Sequence, residues 1–213
     1  MKNTADILLY CGVAVAATYL VTEFIAVPFP AVAIWKAAGI ILFGLYALWN
    51  GARIAATGLL FSAAGDIALA LPEPNFIAGM AFFGTAHILY TLAFWHLIRQ
   101  QGRDPQGLPV LPGLLAYSVL ALVWFLPGMG DLLIPGLAYQ AIITLMVVTS
   151  FFSNAPLSAK IGAVLFMLSD TLIAFGLYRD MTAPPGSIWL TYAAAQFLLA
   201  LGLVQARNQP VAP

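Results

Sequence analysis

The 213-residue sequence predicts an all-α polytopic membrane protein of eight transmembrane helices, and three observations predict it. Hydrophobic residues make up 62% of the chain and charged residues 8%, with a mean hydropathy of +0.96, against roughly 45–50% and about 25% in an ordinary soluble domain. Apolar runs long enough to cross a bilayer recur from end to end, separated by turn-forming residues. These runs are continuous rather than alternating with period two, so helices, not a closed barrel, satisfy the backbone in lipid.

A span needs about 20 mostly apolar residues, which places helices near 6–27, 31–49, 54–71, 76–98, 110–127, 132–152, 161–178 and 188–206. The first run follows Lys2 and includes small residues at 13–17, as a signal peptide would, but it is long enough to span and seven more follow; it reads as a retained helix. Pro28-Phe29-Pro30 ends it, and Asn50-Gly51 ends the second. Pro72-Glu73-Pro74-Asn75 separates the third from the fourth, and the polar stretch 99–107 the fourth from the fifth. Residues 127–131, 153–156 and 183–186 supply the remaining turns, each built on Pro with Gly or Asn. Every connection is short, so residues 1–213 form a single integral membrane domain.

Orientation follows from the basic residues in the loops. With the N-terminus inside, Lys2, Arg53, Arg99, Arg103, Lys160 and Arg207 fall on the cytoplasmic side and Arg179 alone outside. The expectation is a bacterial inner-membrane protein with both termini cytoplasmic. Zero net charge and scattered basic residues exclude a nucleic-acid partner, which would need a clustered basic face. Cys11 is the only cysteine, so no intrachain disulfide forms, and its apolar surroundings assign it to packing.

An ionised side chain near the bilayer centre costs at least ~2.5–3.5 kcal/mol, so each one within a span asks for a reason. Four do so here: Glu23, Lys36, Asp66 and Asp170. At about 1.5 Å per residue, Lys36, Asp66 and Asp170 share a layer in the outer half of the membrane. Tyr139, Tyr192, Gln196, His87 and Tyr90 fall in or just beneath it, and Tyr192 and Gln196, four apart, share a helix face. The expected result is one polar cavity; the alternative is interhelical hydrogen bonding that only holds helices together. Lys36 reads either as an ion-pair partner for an Asp or as a snorkelling grip on an anionic headgroup. Glu23 reads as solvated and His96 as interfacial. His87 and His96 are nine apart and half a turn out of phase, so they do not converge on a metal, and neither a metal nor another cofactor is expected. Gly65-Asp66-Ile67-Ala68-Leu69-Ala70 echoes Ser169-Asp170-Thr171-Leu172-Ile173-Ala174 four spans later. That is the trace two four-helix halves would leave, although a small residue before each Asp also suits close helix packing.

Residues 59–69 (LLFSAAGDIAL), 76–90 (FIAGMAFFGTAHILY), 162–174 (GAVLFMLSDTLIA) and 191–196 (TYAAAQ) resemble, in order and spacing, the YhhN-like lysoplasmalogenase family. The resemblance implies an eight-helix membrane hydrolase that cleaves the vinyl-ether bond of lysoplasmalogens, with lysophospholipid and membrane lipid as partners. It further implies that the family's aspartates map onto Asp66 and Asp170, its Ala-His-x-x-Tyr onto His87 and Tyr90, and its late Tyr and Gln onto Tyr192 and Gln196. One departure is Lys36-Ala37, where the family often has Lys-Pro. Vinyl-ether hydrolysis begins with proton transfer to carbon, which needs a protonated carboxyl group; a close pair of buried carboxylates favours the state in which one is protonated and the other ionised. The rival is a proton-coupled transporter using Asp66, Asp170 and Lys36 as a relay; against it, both Asp spans lack the proline breaks of a transport site.

Overall fold

Regular helix stops where proline and glycine punctuate the sequence. In the computed structural model, which describes residues 2–208, the chain forms α1 (Lys2–Tyr19), α2 (Ala31–Trp49), α3 (Arg53–Leu69), α4 (Phe76–Gln101), α5 (Gly107–Phe125), α6 (Leu133–Phe152), α7 (Leu157–Arg179) and α8 (Ser187–Arg207). The side chain of Lys2, counted above among the basic residues, and residues 209–213 lie outside the described residues. Among the described residues, the eight predicted helices are thus eight observed ones, with shifted ends. The first was expected to reach residue 27; it tightens into a 3-10 turn at Leu20–Glu23 instead. Pro28 and Pro30 cannot donate to a helix, and each pushes its preceding residue out of the helical region.

Seven of the segments are long and apolar enough to cross a membrane. The remaining one is α3, with 17 residues, about 25 Å of rise. It carries Arg53 and Asp66, and α2, α4 and α8 pack around it. Among the described residues, α1 to α4 pack in chain order, α4 continues onto α6, α6 onto α7 and α7 onto α8. Helix α8 closes this ring by touching α1, α2, α3 and α4. Helix α5 lies outside against α6 and α7, with Val119, Leu120, Val123 and Trp124 exposed on the surface that lipid would cover.

Small residues draw the helices together. A Cβ added at Gly202 of α8 would lie 2.5 Å from the Ala159 nitrogen of α7, and one at Gly162 of α7 would lie 2.9 Å from the Leu199 nitrogen of α8. Cys11 corrects the expectation of packing, since it is exposed on the outer surface of α1. At the end holding most basic residues, Arg207 donates to the Asn50 carbonyl (2.9 Å) and Lys160 pairs with Asp104 (2.6 Å). At the other end, Arg179 stacks over Trp124, 5.1 Å from the ring centre, and toward that end lie the two membrane-embedded aspartates, Asp66 and Asp170.

Candidate active site

Asp66 sits one turn before the end of α3 and is buried to 1% exposure. The Tyr192 hydroxyl of α8 donates to its Oδ2 at 2.7 Å, and the Lys36 ammonium of α2 lies 3.7 Å from its Oδ1. Gly65 makes this possible, because the Phe83 ring of α4 lies within 2.7 Å of where a Cβ would stand. Asp170 of α7 is held differently. The Tyr139 hydroxyl of α6 donates to its Oδ2, and His87 Nε2 of α4 lies 3.3 Å from the same oxygen and 3.0 Å from the Tyr139 oxygen. The residue before it, Ser169, donates from Oγ to the Ile188 carbonyl at 3.0 Å, binding α7 to α8. In both places the small residue before the Asp serves close packing.

An aromatic group joins these two networks. Phe166, one turn before Asp170 and fully buried, meets His87 edge-on at 4.4 Å between ring centres, Tyr192 at 5.4 Å and Phe83 at 6.0 Å. A cavity of about 230 Å3 is lined by Lys36, Asp66, Asp170 and Tyr192, with Glu23 and Trp189 on its wall. A narrow apolar chamber of about 80 Å3, lined by Met80, Ile143, Met167 and Tyr139 among others, adjoins it. Leu69, Phe83, Asp170 and Ile173 line both spaces. Asp170 therefore stands where a polar pocket meets an apolar one.

The expectation of one cavity lined by all eight site residues needs correction. Lys36, Asp66, Asp170 and Tyr192 line the polar cavity, Tyr139 lines the apolar chamber, and His87 reaches the site through Asp170. Tyr90 and Gln196 line neither. They are fully buried and bonded to one another, the Tyr90 hydroxyl donating to Gln196 Oε1 at 2.9 Å. Gln196 shares a face with Tyr192, but four residues along a helix carry it about 6 Å deeper. Lys36 is an ion-pair partner of Asp66, and its side chain keeps 19% exposure on the cavity; an ammonium there opposes a metal cation on the same carboxylate.

Tyr19, Thr22 and Trp189 also line the cavity and were missed. For Trp189 a signal existed: 189, 192 and 196 follow the three-four spacing of one helix face. Its indole Nε1 donates to the Ala16 carbonyl at 2.7 Å, tying α8 to α1. Glu23 is exposed, as expected of a solvated residue, yet stands on the cavity wall.

The YhhN family model matches residues 8–203. The chain is 33% identical over 160 residues to a lysoplasmalogenase of Mycobacterium bovis, covering 71% of this chain and 60% of that protein. It is 35% identical over 156 residues to the pig lysoplasmalogenase TMEM86B, covering 69% and 62%, and 33% identical over 153 residues to human TMEM86B, covering 69% and 62%. The chain thus spans about three fifths of the length of these curated relatives. No solved structure matches it at a comparable level. Eight helices in this order, with the aspartate blocks at these spacings and a family match over nearly the whole chain, lead to one conclusion: the chain belongs to the YhhN family.

Proposed function

We propose that the chain hydrolyses the vinyl-ether bond of a lysoplasmalogen, releasing a fatty aldehyde and a glycerophospho-base, with Asp66 and Asp170 as the acid–base pair. The observation that carries this reading is the position of Asp170 on both the polar cavity and the apolar chamber. A lysolipid has the same division, and its reactive bond joins the alkenyl chain to the polar glycerol. The first carbons of the alkenyl chain enter the apolar chamber, the glycerophospho-base occupies the polar cavity, and the vinyl ether meets Asp170. Lys36 and Glu23 on the polar wall suit the phosphate and a cationic base. The relatives named lysoplasmalogenase support the substrate class.

The two carboxylates take different roles because their partners differ. Asp66 is buried, which disfavours its ionised form, but it has an ammonium beside it that offsets part of that cost. Among the described residues, Asp170 has only a phenol and an imidazole, both on Oδ2, so a proton on Asp170 belongs on Oδ1. Asp170 delivers that proton to the vinyl carbon remote from oxygen, producing an oxocarbenium ion. Asp66 takes a proton from water as the water oxygen bonds to the cationic carbon, giving a hemiacetal. The hemiacetal loses its hydroxyl proton to Asp170 while Asp66 protonates the departing glycerol oxygen, which restores both residues and consumes one water.

The test uses the purified chain with a 1-alkenyl lysophospholipid in D2O. The expected product is an aldehyde carrying one deuterium at the carbon next to the carbonyl; release of aldehyde without it, or no release, refutes the mechanism or the activity respectively. The basic bias further supports termini on the cytoplasmic side of a bacterial inner membrane. A reporter fused after Pro213 is expected to be active only in the cytoplasm, and activity outside overturns that orientation.

A further inference from the structure

The end of the bundle opposite the aspartates has its own cavity, which none of this chemistry uses. It measures about 550 Å3 and lies where the α2–α3 turn, the last turns of α4 and the end of α8 meet. Arg53, His96 and Arg207 line it, with Gln100 and Gln101, and no Asp or Glu does among the described residues. The loop carboxylate at this end, Asp104, is taken by Lys160. Neither guanidinium has a carboxylate within ion-pair distance among the described residues.

Arg207 is held in place rather than merely tolerated there. Its Nη1 donates to the Asn50 carbonyl at 2.9 Å, and a Cβ on Gly51 would lie 2.9 Å from its Cζ. Gly51 has φ of +76°, so the turn needs glycine for its backbone and the arginine needs it for room. The other guanidinium nitrogens make no protein hydrogen bond among the described residues. A fixed arginine with part of its donor fork unused, beside a second arginine, suits a phosphate oxyanion. Helix α3 also starts at this wall without a side-chain cap from Ala52, which adds a fraction of positive charge. Ile54 lines the cavity and is exposed, and on α4 the exposed Leu92 and Trp95 neighbour the lining residues Ala93 and His96 in the chain, apolar and aromatic side chains of the kind found at a lipid interface.

We propose that this cavity binds the phosphate of an anionic phospholipid headgroup, with Arg53 and Arg207 as its ligands. The site is independent of the vinyl-ether chemistry and stands or falls separately. Its test is titration of the purified full chain in detergent, following the thermal unfolding midpoint against phosphatidylglycerol, phosphatidylcholine or inorganic phosphate. Phosphatidylglycerol is expected to raise the midpoint at lower concentration than phosphatidylcholine. The Arg53→Gln/Arg207→Gln variant is expected to bind it roughly 30-fold more weakly, at about tenfold per 1.4 kcal/mol and about 1 kcal/mol per basic residue. Arg53→Gln alone leaves the Arg207–Asn50 bond intact and is expected to lose part of that affinity, so a misfolded double variant does not end the test. Arg103→Gln, at the same end but outside the cavity, is expected to change nothing. Inorganic phosphate acting as strongly as the lipid, and losing its effect in the double variant, keeps the phosphate site and assigns it a soluble ligand. Equal response to both lipids, an unchanged response in the double variant, or an equal loss in Arg103→Gln overturns the proposal.

Discussion

Replacing each aspartate by asparagine separates a catalytic pair from two structural carboxylates. In Asp66→Asn, Tyr192 still finds an oxygen to donate to, but the Lys36 ammonium loses its partner at 3.7 Å. At an effective dielectric constant near 20 that attraction is about 4 kcal/mol. With 19% of the Lys36 side chain exposed, water recovers part of it, and a net destabilisation of about 1–3 kcal/mol is expected. Adding Lys36→Met removes the orphaned charge and is expected to restore most of that loss. Asp170→Asn breaks no ion pair with a permanent cation and is expected to cost about 1 kcal/mol. The kinetic consequences are larger. Loss of a general acid or base costs roughly 100- to 10,000-fold, so 1,000-fold, about 4 kcal/mol in the barrier, is the working figure for either variant. Independent roles would multiply to about a million-fold in the double variant, whereas a pair acting as a unit leaves it near 1,000-fold. Aldehyde release from lysoplasmalogen by purified, monodisperse protein measures all three. Near-normal turnover in either single variant removes that residue from the chemistry, and multiplicative loss refutes the pair.

Lys36→Met is expected to lower kcat more than it raises KM, because the ammonium sits on Asp66; a rise in KM alone would make Lys36 a headgroup contact only. Gly202→Ala places a methyl 2.5 Å from the Ala159 nitrogen and forces α7 from α8, for about 1–3 kcal/mol. Gly113→Ala, which meets nothing within 4 Å, is its control, and equal thermal midpoints would show that α7–α8 contact is not tight. The Lys160 hydrogen bond, and next the Gln106 backbone N–H, hold the Asp104 carboxyl below its ordinary value of 3.8. A depressed folded value means stability that is complete above the unfolded value and lost as pH falls through the folded one. Asp104→Asn is therefore expected to lower the thermal midpoint at pH 7, with the deficit shrinking as pH drops below 3.8; a deficit constant with pH would refute the assignment.

Hydropathy and turn residues made the eight helices legible, because each signal is local to its span. Depth along the membrane was legible too: counting residues from the outer ends put Lys36, Asp66 and Asp170 in one layer, where they line one cavity. Rotation about each helix axis was not. It depends on α8 closing the ring against α1 to α4, contacts between segments far apart in the chain. Tyr90 and Gln196 show the cost, since residue counting gives a depth but not whether two side chains meet each other or a pocket. Arg53 and Arg207 show another. As loop charges they needed no account, until the turn at Gly51 brought one against the backbone beside the other's cavity wall.

The contacts of the two aspartates also bear on the echo between residues 65–70 and 169–174. Asp66 is on the third helix; it takes one partner, Lys36, from the second helix and one, Tyr192, from the eighth. Asp170 is on the seventh; it takes Tyr139 from the sixth and His87 from the fourth. If α1–α4 and α5–α8 are set side by side, each carboxylate is held by the second helix of its own half and the fourth helix of the other. The intervals agree: His87 follows Asp66 by 21 residues and Tyr192 follows Asp170 by 22, while Lys36 precedes Asp66 by 30 and Tyr139 precedes Asp170 by 31. Reciprocal exchange of this kind is what two related halves give when they pair across an axis. The equivalence makes the differences informative. At matching positions one half presents an ammonium and the other a phenol, and one fourth helix supplies a phenol where the other supplies an imidazole. A symmetric pair of sites would treat its two carboxylates alike. Here Lys36 corresponds to Tyr139 across the comparison, which among the described residues gives one aspartate a permanent counter-charge and the other none; the proposed division of labour between base and acid rests on that difference.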